Sequence, residues 1–233
     1  MTTADALLTL DRADFGWAGE AVVRGVSGGF TRGSMTAVLG PNGVGKSTLM
    51  KGLAGALAPL SGSLDRPAAR AVAQAWLPQR AELDLGFPID VHELVAMGAW
   101  CRTGAWRGMD ATERRRVAEA LQRTGIESLA GRRLDTLSGG QLQRALFARL
   151  LVQDAQLLLL DEPFAAVDRE TVHSLCGLLR ELHVEGRTVI AVLHDRAVAR
   201  RYFDQTLLLG REDGVGRVQA WAPTVVALDA EAP

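Results

Sequence analysis

Five short apolar runs, each bounded by glycine, proline or charged residues, predict buried strands along the chain. They are "MTAVLG" at 35–40, "AVAQAWL" at 71–77, "LLLL" at 157–160, "TVIAVL" at 188–193 and "TLLLG" at 206–210. Continuous runs of this kind are typical of strands that are covered on both faces. Helical patterns over 46–57, 170–184 and 195–203 lie between several of them, which predicts an α/β fold with a mostly parallel sheet flanked by helices.

The section from about 85 to 135 lacks this alternation. It contains no convincing strand, whereas "DVHELVAMGAW" and "DATERRRVAEALQRTG" carry helical patterns. We therefore predict a helical subdomain over about 85–150, inserted into the sheet domain. The first 30 residues, with "LLTL" and the glycine-rich "RGVSGGFTRGS", predict an N-terminal subdomain of short antiparallel strands. Together these patterns predict one domain over 1–222 and a C-terminal tail over 223–233.

Composition and charge narrow the possible classes of protein. A chain of 233 residues suits one α/β domain with a modest inserted subdomain, and its net charge of −1 argues against a nucleic-acid-binding protein. Cys101 and Cys176 show neither CxxC nor Cys/His spacing, which argues against a disulfide framework or a zinc site. The opening "MTTADALLTLDRADF" lacks a secretory-signal pattern, and no window of about 18 apolar residues occurs. We expect any membrane role to come through a partner.

A phosphate-binding loop follows the first predicted buried strand. The stretch "GPNGVGKST" at 40–48 fits the pattern G-x-x-x-x-G-K-[ST] and precedes a predicted helix, which is the context that the motif requires. Its glycines allow the backbone to wrap phosphates, Lys46 can reach the β and γ phosphates, and the Ser47 hydroxyl can bind Mg²⁺. Only Lys46 and Lys51 among the 26 lysines and arginines are lysines, which indicates that a compact ammonium is required at position 46. The sequence therefore predicts binding of a nucleoside triphosphate.

Polar side chains follow three other predicted strands. Asp161 and Glu162 end the run "QLLLLDEP", and the end of a strand in an open α/β sheet faces the ligand crevice. Asp161 can therefore hold the Mg²⁺ shell, and Glu162 can polarise an attacking water. His194 in "VLHDR" could meet the γ-phosphate, although by itself a histidine at such a strand end is more often a hydrogen-bonded structural residue. The amide oxygen of Gln79 in "LPQR" could reach the metal.

A second helix start also has the character of an anion site. In "TLSGGQLQRA", at 136–145, Ser138 is the predicted N-cap, and Gly139 and Gly140 follow it without side chains. The backbone N–H groups of the first turn then point outward at the positive end of the helix dipole. One chain with one phosphate loop thus carries two anion-binding helix starts.

These motifs follow one another in a diagnostic order: phosphate loop, Gln79, "LSGGQ", "LLLLDE", "AAVD" and His194. In this order the chain resembles the nucleotide-binding subunit of ABC transporters over nearly its whole length. The signature "LSGGQ" is the most specific of the motifs, since ordinary P-loop ATPases lack it. The resemblance implies a P-loop NTPase core, ATP and Mg²⁺ as ligands, and ATP hydrolysis. It also implies a head-to-tail homodimer in which the signature helix of one subunit covers ATP on the phosphate loop of the other.

The resemblance also assigns roles to individual residues. The nucleotide-binding residues that it implies are Gly40, Pro41, Asn42, Gly43, Gly45, Lys46, Ser47 and Thr48 in the Walker A loop, Gln79 in the Q-loop, Ser138, Gly139, Gly140 and Gln141 in the signature at 137–141, and Asp168 in the D-loop. The implied magnesium ligands are Ser47, Gln79 and Asp161. Glu162 matches the catalytic base, and His194 and Lys46 are the other implied catalytic residues.

The aromatic residue that stacks on adenine in this family corresponds to Trp17, judged by its spacing from "GVS" at 25–27. The family more often has tyrosine than tryptophan at the position of Trp17, so Phe15 is kept as the second choice. The implied A-loop residue is therefore Trp17 or, failing that, Phe15.

The stretch "LPQRAELDLGFPIDVHELVAMGAW", at 77–100, is similar to the region after the Q-loop in the metal-ion importer family. In that family "FPI-V" precedes "V-MG", and "DEPFAAVD" is similar to its "DEPF--VD". The resemblance implies import of zinc or manganese through a separate permease and a substrate-binding protein, at the cytoplasmic face of the membrane. Phe87, Pro88 and Ile89 either form a docking cleft for the permease or pack within the helical subdomain.

Three other kinds of ABC protein are also compatible with the sequence. The nearest alternatives are importers of chelated iron, haem or cobalamin. Exporters often fuse the ATPase to membrane helices, although some have separate subunits. Soluble ABC ATPases that do not transport usually carry a zinc insertion, a long coiled coil or a second ATPase domain, none of which the sequence shows.

Overall fold

The structure, a computed structural model, describes most of the chain and divides it into two compact units. The described residues are 6–66, 73–79, 87–104 and 108–229. The first unit comprises Met1–Trp76, Gln156–Glu162 and His183–Pro233, and the second comprises Leu77–Ala155 and Pro163–Leu182. Within the described residues, no helix is both long and apolar enough to cross a membrane.

A mixed sheet forms the core of the first unit. Its strands are β1 (Ala6–Trp17), β2 (Glu20–Thr31), β3 (Met35–Leu39), β4 (Ser61–Asp65), β5 (Gln74–Leu77), β6 (Leu157–Asp161), β7 (Thr188–Val192), β8 (Gln205–Glu212) and β9 (Val215–Pro223). Their order across the sheet is β4-β1-β2-β9-β8-β3-β7-β6-β5. Strand β3 runs parallel to β7 and β8, and β6 runs parallel to β7.

The parallel strands are the most deeply buried, as their apolar runs predict. Every residue of β3, β6 and β7 is buried, because both faces of this part of the sheet are covered. The runs at 157–160, 188–193 and 206–210 correspond to β6, β7 and β8, and the run at 71–77 forms β5 from Gln74 onward. Residues 71 and 72 lie outside the described part. The prediction of a mostly parallel, buried sheet is confirmed.

Antiparallel strands extend the sheet on one side. β1 pairs with β2 and with β4, and β8 pairs with β9, all in antiparallel register. The predicted N-terminal antiparallel strands are therefore present, although they continue the same sheet. The apolar pattern did not predict β4 or β9, because β4 is an exposed edge strand and only one residue of β9 is buried.

Among the described residues of the first unit, three helices lie entirely within it: α1 (Lys46–Ala54), α7 (Arg196–Tyr202) and α8 (Thr224–Asp229). Helix α8 falls within the segment that we predicted as a tail. It packs against β8 and β9, and its Ala227 and Leu228 are buried. The tail prediction is therefore wrong for 224–229, since these residues add to the core. Residues 230–233 lie outside the described part.

The second unit is helical over its described residues, as predicted for the inserted subdomain. Its helices are α2 (Val91–Ala96), α3 (Trp100–Thr103), α4 (Ala111–Arg123), α5 (Gly139–Val152) and most of α6 (Arg169–Val184). Asp90 and Asp110 accept hydrogen bonds from first-turn N–H groups and so begin α2 and α4. Helices α2 and α4 both pack on α5.

This unit is larger than the predicted 85–150, because α6 joins it. Arg144 on α5 donates a hydrogen bond to Ser174 on α6, and Arg123 on α4 pairs with Glu181 on α6. The rings of Phe147 and Phe164 also stack, with their centroids 6.3 Å apart. The sequence pattern places α6 in the sheet domain, because this helix lies between two strands in the chain, whereas its hydrogen bond to α5 and its ion pair with α4 tie it to the second unit.

Gly52 on α1 gives a test of the packing in the first unit. Phe15 of β1 is fully buried, and a Cβ added at Gly52 would lie closer to its ring than real Cβ contacts allow. We expect Gly52→Ala to destabilise the protein by about 1–3 kcal/mol through overpacking. The midpoint of chemical unfolding measures this loss.

Gly177 on α6 supplies the matched control, because nothing lies within 4 Å of its added Cβ. Gly177→Ala should stabilise the protein by about 0.5–1 kcal/mol, the usual difference between the two residues in a helix. Equal effects of the two substitutions would contradict the close packing of Phe15 on α1.

Candidate functional site

The phosphate loop connects β3 to α1. Helix α1 begins at Lys46, its N-cap is Gly45, and no side chain caps its first turn. The first N–H groups of a helix have no acceptor within the helix, and they carry the positive end of its dipole. A glycine-rich loop that leads into such a helix start is suited to bind phosphate.

Two glycines are required by the path of this loop. Gly40 and Gly45 have φ values of 149° and 104°, which side-chain-bearing residues rarely adopt. An added Cβ at Gly40 would lie 2.5 Å from the carbonyl oxygen of Leu209, and one at Gly45 would collide with Val23. The loop can therefore pass between β2 and β8 only with glycine at these positions.

Lys46 points back into the loop. The residue is only 5% exposed. Its Nζ donates hydrogen bonds to the carbonyl oxygens of Gly40 at 2.8 Å and Pro41 at 3.1 Å. Burial lowers the pKa of the ammonium group below its ordinary value, and the carboxylates of Glu162 and Asp161 oppose this shift. The cation is thus held by backbone dipoles beside two carboxylates.

Oxygen atoms from two elements meet next to this loop. Asp161, at the end of β6, is 2% exposed, and its Oδ1 accepts a hydrogen bond of 3.2 Å from the Ser47 hydroxyl. A hydroxyl and a carboxylate are the oxygen donors that Mg²⁺ prefers near phosphate. This donor set therefore fits a magnesium ion.

Glu162 and His194 form a pair at the carboxyl ends of neighbouring parallel strands. Glu162 follows β6 and has a φ of 51°, a left-handed conformation that is costly for a residue with a side chain. His194 Nε2 lies 2.8 Å from Glu162 Oε1, within hydrogen-bond distance. Both side chains are partly exposed, so water can reach the carboxylate.

The two candidate aromatic residues differ in exposure. Phe15 is fully buried against α1, whereas Trp17 is 49% exposed. The ammonium of Lys51 lies 5.5 Å from the centre of the Trp17 ring. Of the two residues, only Trp17 offers a ring face to a ligand.

The signature motif forms the start of α5 in the second unit. Ser138 is the N-cap, and its hydroxyl accepts a hydrogen bond from the backbone N–H of Gln141 at 3.3 Å. The Gln141 side chain in turn accepts one from the backbone N–H of Ser138 at 3.0 Å. The N–H groups of Gly139 and Gly140 have no acceptor within the helix, and a helix start of this kind is suited to bind an anion.

Asp168 lies beside the same helix start. A Cβ added at Gly140 would approach the Asp168 carboxylate to 3.0 Å, so the two motifs are close together. Asp168 Oδ1 accepts a hydrogen bond of 2.8 Å from the backbone N–H of Thr171, and this bond lowers the pKa of the Asp168 carboxyl. The side chain is therefore an oriented carboxylate at neutral pH.

The predicted site residues thus fall into two groups. Trp17, the phosphate loop, Asp161, Glu162 and His194 belong to the first unit. Gln79, the signature and Asp168 belong to the second. Gln79 lies two residues beyond the end of β5, after Pro78, and is half-buried.

Arg211 contacts the phosphate loop but was not predicted from the sequence. Its Nη2 donates a hydrogen bond of 2.8 Å to the carbonyl oxygen of Gly43. Arg211 is 168 residues away in the chain, at the end of β8, and carries no motif. Only its position beside β3 in the sheet brings it to the loop.

The chain is similar to known proteins over most of its length. A family model described as "ABC transporter" matches residues 23–165. The chain is 42% identical over 195 residues to the "probable metal transport system ATP-binding protein" of Chlamydia pneumoniae, which covers 82% of this chain and 75% of the relative. It is 40% identical to the manganese transport system ATP-binding protein MntA of Synechocystis sp., covering 77% and 71%. It is also 40% identical to the zinc transport system ATP-binding protein TroB of Treponema pallidum, covering 76% and 68%.

A solved structure shows the same fold. The chain aligns with cbiO1 from Clostridium perfringens, which is part of the ABC transporter complex cbiONQ, with a TM-score of 0.77 and 30% identity. The alignment covers 97% of this chain and 92% of cbiO1.

Proposed function

Because the chain belongs to the ABC transporter family as an ATP-binding subunit, we propose that it hydrolyses ATP to drive metal-ion import through a separate membrane permease. The observation that carries this proposal is the Glu162–His194 pair at 2.8 Å, one residue beyond the Asp161 carboxylate that contacts Ser47. A base, an oxygen donor set and a phosphate loop within one unit are the parts that phosphoryl transfer to water requires.

In the proposed reaction, ATP binds with its phosphates on the loop, from Gly40 to Thr48, and Lys46 moves its ammonium from the loop carbonyls to the β and γ phosphates. Ser47 and Asp161 would hold Mg²⁺, with Gln79 as the further ligand that its motif implies, and the ion would neutralise charge on the phosphate oxygens. Glu162 accepts a proton from the attacking water. His194 keeps the Glu162 carboxylate oriented through the hydrogen bond between them.

A second copy of the chain completes the site in this proposal. The start of α5 is an anion-binding helix start in a chain with one phosphate loop, which favours a γ-phosphate supplied by another subunit. In a head-to-tail dimer, the hydroxyl of Ser138 and the N–H groups of Gly139 and Gly140 meet the γ-phosphate, with Gln141 and Asp168 beside them. ATP then favours the closed dimer, since these contacts exist only in that state.

Manganese or zinc is the proposed cargo, and the inner face of the cell membrane is the proposed location. The names of the relatives support this cargo, since they refer to metal, manganese and zinc transport systems. The exposure of Phe87, at 57%, supports a docking surface for the permease, because a side chain packed within the subdomain would be buried. Trp100 of the same unit is also exposed, at 52%. Residues 80–86 of the stretch 77–100, which is similar to the metal-ion importers, lie outside the described part.

Reconstitution of the transporter tests the cargo. The subunit is co-purified with its permease, reconstituted in liposomes, and mixed with the substrate-binding protein loaded with manganese, zinc or iron. We expect manganese or zinc to stimulate ATP hydrolysis several-fold, and the metal-free binding protein, as control, to stimulate it less. Stimulation by iron alone, or by none of the three metals, would contradict the proposed cargo.

A further inference from the structure

We propose that Lys51 is a positioning residue for the nucleotide base, acting through Trp17. Its ammonium lies over the indole ring, 5.5 Å from the ring centre, and holds the ring so that the other face is presented to adenine. The inference rests on the proposed nucleotide site with Trp17 as its base-stacking residue.

The packing of β1 on α1 brings the two side chains together. The buried ring of Phe15 fills the space over Gly52, which has no side chain to displace it. Lys51 precedes Gly52 on α1, and Trp17 lies two residues beyond Phe15 on β1. The tight packing of Phe15 on Gly52 therefore fixes the position of Lys51 relative to Trp17.

The position of Lys51 on α1 separates its role from that of Lys46. Five residues of α-helix advance about 7.5 Å along the axis and turn about 140° away from the starting direction. Lys46, at the first position of α1, points into the phosphate loop. Lys51 therefore faces a different side of the helix, where its charge acts on the indole.

A cation over an indole face is attracted by the electron density of the ring. A half-exposed tryptophan without such a contact samples several side-chain rotamers, and ordering it on ligand binding costs free energy. Trp17 is 49% exposed, which leaves ring surface for a base while Lys51 covers another part. Lys51 thus prepares the ring before the nucleotide arrives.

Equilibrium binding of ADP and of inorganic pyrophosphate to the purified subunit tests this inference. ADP carries the base and pyrophosphate does not, and neither requires hydrolysis. We expect Lys51→Met to weaken ADP binding about two- to fivefold, as for loss of a cation–π contact at an exposed site, and to leave pyrophosphate binding unchanged. Lys51→Arg should bind ADP as the wild type does, because a guanidinium also stacks on indole.

The Trp17→Ala background distinguishes a role through the ring from a structural role. Trp17→Ala alone should weaken ADP binding about tenfold by loss of stacking and should leave pyrophosphate binding unchanged. Adding Lys51→Met to it should then have no further effect. Thermal unfolding of each variant checks that the fold is retained.

Each contrary result identifies what fails. If Lys51→Met weakens pyrophosphate binding equally, or weakens ADP binding equally with and without Trp17, the positioning role is overturned while Trp17 keeps its function. If Trp17→Ala binds ADP normally, the base-stacking role of Trp17 fails and the inference fails with it. If the wild type binds neither ligand, the proposed nucleotide site itself is wrong.

Discussion

We expect Glu162→Gln to retain ATP binding but to lose ATP turnover by at least about 100-fold, the usual contribution of a general base. Glutamine has the shape of glutamate, and its amide oxygen can still accept the hydrogen bond from His194. It cannot take a proton from water. ATP should therefore stay bound uncleaved, and the ATP-bound dimer should accumulate.

Phosphate release, equilibrium ATP binding and light scattering of the subunit with ATP measure the three parts of this prediction. Glu185→Gln is the matched control, because Glu185 is an exposed glutamate paired with Arg187 on the surface of the same unit. It should keep wild-type turnover. Normal hydrolysis by Glu162→Gln would show that another group is the base.

Ser138→Arg is expected to abolish ATP hydrolysis while leaving ATP binding to a single subunit intact. Ser138 caps α5 in the second unit, whereas the phosphate loop, with Lys46, lies in the first. In the proposed dimer, an arginine at this helix start would fill the space of the γ-phosphate of the neighbouring subunit. Hydrolysis and ATP binding are measured separately on the same preparation.

Loss of a helix cap by itself costs about 1 kcal/mol, so a control must separate this loss from loss of the composite site. Asp110→Arg removes the N-cap of α4 in the same unit and should leave hydrolysis intact. Mixing Ser138→Arg with Lys46→Met should restore hydrolysis, because a mixed dimer has one site with both an intact loop and an intact signature. Unchanged hydrolysis by Ser138→Arg alone would rule out a site shared between subunits.

The buried strands were the part of the fold that the sequence predicted best. Strands β3, β6, β7 and β8 are continuous apolar runs, because a strand covered on both faces has no polar face to interrupt the pattern. The sequence did not predict strands β4 and β9, because most of their residues are exposed or partly exposed and so show no continuous apolar run. The sequence did not predict helix α8 for a similar reason. Its six residues bury only one side of the helix, against β8 and β9.

The sequence predicted the chemical groups of the site wherever these groups are close together in the chain. In the proposed site, the phosphate loop, the "LLLLDE" strand end and the "LSGGQ" helix start each act through backbone groups or side chains within a few residues, so their spacing alone predicts the ligand type. The sequence did not predict contacts between residues that are far apart in the chain. The contact of Arg211 with the loop joins residues 168 positions apart and leaves no local pattern.

By itself, the sequence determined which chemical groups this protein carries and the order in which they occur, because a motif is a local arrangement of backbone and side chains. Only the tertiary structure decided which of two aromatic residues is available, since burial of Phe15 on Gly52 follows from packing between β1 and α1. It also decided that Glu162 and His194 meet at 2.8 Å, because parallel pairing of β6 and β7 brings their carboxyl ends to one edge of the sheet.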